Sequence, residues 1–149
     1  MIQPKTIYDV LVMLADYYQQ RVKLYAELRS SSRDSQAQIL LEHMVELEEH
    51  SFKVIQAEMN DLSQEHSTYL TLGPVLSESA MHAVDGQCSA EPSFEEALDC
   101  VFTSDQFLDE FIARIETGGA SFAVAGLATR LRDLEGTKRR QIANFTRLD

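Results

Sequence analysis

The stretch SQAQILLEHMVELEEHSFKVIQAEMNDL, residues 35–62, decides the fold. Leu40, Met44, Leu47, Ser51, Val54, Glu58 and Leu62 recur in it at intervals of three and four. Residues so spaced share one face of an α-helix, so the stretch reads as a helix with one side on a core. Ser35 and Gln38 have capping-box spacing and predict the start of this helix, which extends to about residue 65.

Three more segments have the same period. The first helix starts after Pro4, with Thr6 and Asp9 in capping-box spacing, and spans about 5–29. Its face carries Leu11, Leu14, Tyr18, Arg21, Tyr25 and Leu28. The third, about 93–117, follows Pro92, opens on Ser93 with Glu96 and stops at Gly118-Gly119. The fourth, about 121–147, starts at Ser121 and carries Val124, Leu127, Leu131, Leu134, Lys138, Ile142 and Phe145. A crossover of about 66–92 joins the two hairpins, with a short helix expected over Val75–Val84. These readings predict an all-α, single-domain four-helix bundle, two helical hairpins joined by one long connection.

The composition agrees. The chain has 149 residues, 44% hydrophobic and 25% charged, with 6 Gly, 3 Pro and no Trp, a balance suited to one folded domain and not to a turn-rich sandwich. Thirteen basic residues against 24 acidic ones give −11, the wrong sign for wrapping nucleic acid. The longest apolar run near the start, Val10–Ala15, is too short for a signal peptide or a membrane span. Cys88 and Cys100 form no C-x-x-C pattern and read as reduced thiols. The expectation is a cytoplasmic protein with no nucleic-acid or membrane partner.

The two halves superimpose without a gap when one is shifted by 87 residues. Leu11 then meets Leu98, Tyr18 meets Asp105, Leu40 meets Leu127, Glu48 meets Glu135 and Ile55 meets Ile142. The inter-helix turns coincide as well, Asp34 with Ser121.

Two such hairpins, with Tyr25-Ala-Glu-Leu28 closing helix one and Leu47-Glu-Glu-His-Ser-Phe-Lys-Val54 in helix two, resemble the ferritin-like superfamily and its rubrerythrin-like members. The resemblance implies a di-iron or di-manganese centre built from a Glu on helices one and three and a Glu-x-x-His on helices two and four. Carried over residue by residue, it puts Tyr18 where the first Glu belongs and Asp105 where the third helix supplies one. Glu135 is in place on helix four, but the imidazole position is Lys138. Helix two allows two frames. One keeps His50 and puts Leu47 at the Glu position; the other, set by the internal repeat, keeps Glu48 and puts Ser51 at the imidazole position.

On this reading the surviving metal ligands are Asp105, Glu135 and either His50 or Glu48, while Tyr18, Leu47 and Lys138 mark lost ones. An ammonium has no lone pair and repels a divalent ion. The expectation is a ferritin-like protein without its metal centre or any cofactor, acting through binding or assembly. In place of metal, Arg21 and Lys138 would pair with Asp105 and Glu135 in a buried ion network, or reach past the stripe to solvent. The alternative is a rubrerythrin-like oxidoreductase using iron or manganese. His43, Glu46 and His50 lie close on one helix edge, where solvent exposure or zinc or copper binding are both open.

Charge is uneven along the chain. Six of the basic residues (Arg130, Arg132, Lys138, Arg139, Arg140 and Arg147) follow residue 129, while 42–110 holds only Lys53 among its many acids. This predicts either packing of helix four on acidic neighbours or docking on a protein partner, with a homodimer expected.

Overall fold

A computed structural model describes residues 6–62, 88–118 and 122–146. The expected Val75–Val84 helix, the Ser121 cap, and His66 and His82 lie outside these residues. Among the described residues there are four helices: α1 (Ile7–Ser31), α2 (Ser35–Asp61), α3 (Phe94–Gly118) and α4 (Phe122–Thr146). The capping box at α1 forms, with Thr6 Oγ1 accepting from the Asp9 amide at 3.1 Å and Asp9 accepting from the Thr6 amide at 3.2 Å. Ser93 and Glu96 make the same reciprocal pair ahead of α3. At α2 the cap is Asp34 and not Ser35. The Asp34 carboxylate accepts from the amides of Gln36 and Ala37, satisfying donors that a helix start leaves open, so Ser35 becomes the first helical residue. Gly118 still belongs to α3, one residue beyond the expected stop.

Helix α1 packs on α2 and α3 on α4, and α2 touches both helices of the second hairpin. The apolar interior falls into two clusters. One joins the first half of α1, Ile55 near the end of α2, the second half of α3 and the start of α4. The other joins Tyr25 and Leu28, the first half of α2, the start of α3 and Ile142. Between the two clusters lies a polar layer.

The 87-residue repeat extends to burial. The buried residues of α2 are Ala37, Leu40, Leu41, Met44, Glu48, Ser51 and Ile55. Those of α4 are Val124, Leu127, Ala128, Leu131, Glu135, Lys138 and Ile142, each the counterpart of one in α2 at that same offset. The first residues of α3 and α4 are likewise the counterparts of those of α1 and α2. Tyr17 OH and Ser104 Oγ, 87 residues apart, hydrogen-bond to each other at 2.7 Å. Equivalent residues of two related units touch only where the pseudo-two-fold axis passes between them.

The cysteines require a correction. Cys88 and Cys100 form a disulfide, with Cα atoms 5.5 Å apart. Their spacing in sequence gives no hint of this, because the chain ahead of α3 folds back on the turn of the first hairpin. There Ser32 Oγ donates to the Pro92 carbonyl at 2.7 Å, and the Phe94 amide donates to Asp34 Oδ2 at 2.8 Å. The bond should stabilise chiefly by restricting the unfolded chain. Replacing both cysteines by serine is therefore expected to cost about 2–4 kcal/mol in urea unfolding with helix content unchanged. Equal midpoints, together with two thiols titrating in the unreduced protein, would contradict the bond.

A candidate functional site in the buried ionic layer

Residues three apart on a helix share a face, and this places Glu135 and Lys138 of α4 side by side inside the bundle. Lys138 is 3% exposed and Glu48 of α2 is 1% exposed. The Lys138 ammonium donates to Glu48 Oε1 at 2.8 Å and lies 2.9 Å from Glu135 Oε2 and 3.5 Å from Asp105 Oδ1 of α3. Helix α1 closes the group with Tyr18, whose hydroxyl donates to Glu135 Oε1 at 3.2 Å. The ammonium also stands 5.6 Å from the centre of the Tyr18 ring. All four helices thus meet at one cation.

A second cation sits in the same layer. Arg21 is 1% exposed, donates from Nη2 to Tyr25 OH at 2.7 Å, and stands 4.7 Å from the centre of the Tyr25 ring. It also reaches Cys100 Sγ at 3.9 Å. Neither Lys138 nor Arg21 extends to solvent, although both side chains are long enough to do so from a helix edge.

The electrostatics follow from desolvation. Burial alone would discharge Lys138, but the carboxylates of Glu48, Glu135 and Asp105 overcome it and hold the ammonium well above the ordinary lysine value. Burial pushes the Glu48 carboxyl up, against the pull of Lys138 and with the help of Glu135. It pushes Asp105 up in the same way. Burial, then the charge of Glu135, raises the Tyr18 phenol. Three carboxyls thus face one directly bonded ammonium, with the Arg21 guanidinium as the second cation of the layer. Glu48 Oε2 is buried and accepts no hydrogen bond from the described residues.

Of the two frames open for α2, burial selects the one that holds Glu48 and Ser51. His50 is exposed and Leu47 only half-buried, so neither faces the layer. One residue shifts a helical position by about 100°, enough to move an imidazole from the centre to the surface. His43 stacks on Phe145 with ring centres 3.8 Å apart, while Glu46 and His50 are exposed. Among the described residues no group of three or more His, Cys, Asp or Glu is arranged to hold a metal ion.

The side chains around Lys138 do not fit a dinuclear iron or manganese pair. A fixed positive charge lies among the three carboxyls that would have to bridge the ions, and among the described residues no imidazole faces them. Outside the layer, the basic residues of α4 serve contacts within the chain. Arg130 pairs with Glu58, Arg132 with Asp109 and Glu116, and Arg139 with Asp109.

The inward places of Glu48, Tyr17 and Ser104 are not apparent from the helix stripes alone. The internal repeat is the signal that finds the first, since it aligns Glu48 with Glu135.

Removing one partner of a buried ion pair leaves uncompensated charge, at about 3–5 kcal/mol. Lys138→Met should therefore be destabilised by that amount at neutral pH. The deficit should narrow as pH falls. Without the ammonium, Glu48 and Asp105 take up protons in the folded state at higher pH than in the unfolded chain, and stability rises wherever the folded state binds more protons on acidification. The parent chain should lose stability as pH climbs above about 10, because Tyr18 and Lys138, both held above their ordinary values, keep protons in the folded state that the unfolded chain has already released. Thermal melts across pH check both statements, and a Met variant as stable as the parent would exclude a mutually dependent network.

No family model, curated protein or solved structure matches the chain.

Proposed function

We propose that this chain is a ferritin-like bundle in which an internal ammonium has taken the place of a di-metal centre, and that it works by binding and not by redox catalysis. The observation that carries this reading is the Lys138 ammonium within 2.8 and 2.9 Å of Glu48 and Glu135, the two glutamates related by the internal repeat. The shared membership of the two apolar clusters supports the arrangement. The starts of α1 and α4 and the ends of α2 and α3 lie in one cluster, which agrees with α2 and α3 running parallel across the long connection. No described helix is long and apolar enough to cross a membrane. The Cys88–Cys100 disulfide favours an oxidising compartment over the reducing cytoplasm expected from the sequence.

The test is metal content. Protein produced in medium supplemented with iron and manganese should carry far less than one metal per chain. The double variant Ser51→His, Lys138→His, which recreates Glu-x-x-His on both α2 and α4, should bind either ion more tightly than the parent does. Near-stoichiometric iron or manganese in the parent, lost in Asp105→Ala, would overturn the reading in favour of a rubrerythrin-like oxidoreductase.

A further inference from the structure

Internal duplication allows each half to serve as a control for the other. A groove of about 660 Å³ lies between α3 and α4, and Phe102, Asp105, Asp109, Arg139, Ile142 and Thr146 are among its walls. The same places in the first hairpin are occupied by Ala15, Tyr18, Val22, Phe52, Ile55 and Met59. There Ala15, Phe52 and Met59 pack against the apolar core, and Tyr18 and Ile55 belong to it. Where the first hairpin has Tyr18, Phe52 and Met59, the second has Asp105, Arg139 and Thr146, shorter or charged side chains, and the space stays open even though Phe102 replaces the smaller Ala15. The charge is changed as well, with Glu110 of the groove standing where the first hairpin has Lys23.

The groove leads to the ionic layer through Asp105. That side chain is nine-tenths buried, and its 3.5 Å ion pair with Lys138 is longer than the 2.8 and 2.9 Å contacts made by the glutamates. Its carboxyl therefore keeps capacity to accept a stronger donor from the groove side. Arg139, the one basic residue on the walls among the described residues, is held on Asp109 at 3.3 Å. Phe102, 48% exposed, and Ile142 offer apolar surface on either side. A cavity of this size, with apolar surface beside a few fixed polar groups, has the usual form of a small-ligand site.

We propose that the α3/α4 groove binds a small organic cation, a protonated amine whose ammonium meets Asp105 while its apolar body lies against Phe102 and Ile142. Such a ligand adds positive charge beside Asp105, the carboxyl that stands farthest from the Lys138 ammonium. An anion is opposed by Asp105 and Glu110. The inference rests on the binding role proposed above and names the ligand class at that centre.

The test is a titration with n-hexylammonium followed by the methyl resonances of Ile142 and Ala143, with hexanoate and hexanol as probes of equal chain length. Saturable shifts with hexylammonium are expected, at an affinity at least about tenfold above that of either control, as a charge-assisted hydrogen bond implies. Asp105→Asn should lose about tenfold; Lys138 keeps both glutamates, so the fold should survive. Ala143→Phe, at an exposed position on the groove wall, should abolish binding with helix content unchanged. Absent or unsaturable shifts, equal binding of hexanol or hexanoate, or an unaltered affinity in Asp105→Asn would each overturn the proposal. These outcomes are independent of metal content: a metal-free chain with a flat titration loses only the groove, and a metal-loaded chain loses the earlier reading.

Discussion

One ammonium, that of Lys138, holds the centre of this bundle together. It takes Glu48 from α2, Asp105 from α3 and Glu135 from its own helix, and Glu135 in turn receives the hydroxyl of Tyr18 from α1. Each of these groups would be costly to bury alone, because a desolvated charge without a partner loses its hydration and gains nothing. Together they form a polar layer between two apolar clusters. Such a layer contributes less to raw stability than hydrophobic packing of equal volume does, but it fixes register. Sliding α4 by a turn would carry Lys138 into the apolar residues above or below and leave the carboxyls unpaired.

Duplication explains why the layer has the composition it does. An exact two-fold repeat would bury equal charges on both sides of the axis, so that the glutamates at 48 and 135 would face one another with identical neighbours. Instead Ser51 stands opposite Lys138 in the repeat, and a single lysine serves both glutamates. Tyr18 opposite Asp105, and Arg21 opposite Leu108, continue the same division. One half supplies phenols and a guanidinium, the other a carboxyl and an ammonium. The same asymmetry leaves the second hairpin the more open of the two, since the shorter Asp105 stands where Tyr18 fills the first.

The segment before α3 ties this centre to the turn of the first hairpin. Asp34 caps α2 and accepts from the Phe94 amide, Ser32 bonds Pro92, and the Cys88–Cys100 bond holds the same strip of chain beside Arg21. The hydrogen bond from Phe94 lowers the Asp34 carboxyl, with those from Gln36 and Ala37 adding to it, so this joint is tightest when Asp34 is ionised.

Local chemistry in the sequence determined the helices: the alternation of three and four along 40–62, the caps at Thr6 and Ser93, and the places of Tyr18, Arg21 and Lys138 on the helix stripes. Each depends on neighbours within a turn or two of helix, which is the range over which sequence spacing is a physical distance. Tertiary structure decided the rest. Whether His50 or Glu48 faces the centre is a rotation of about 100°, settled only when α2 packs against three other helices. The pairing of Cys88 with Cys100, and of both glutamates with one lysine, requires the chain to return on itself, and no local spacing encodes where it returns.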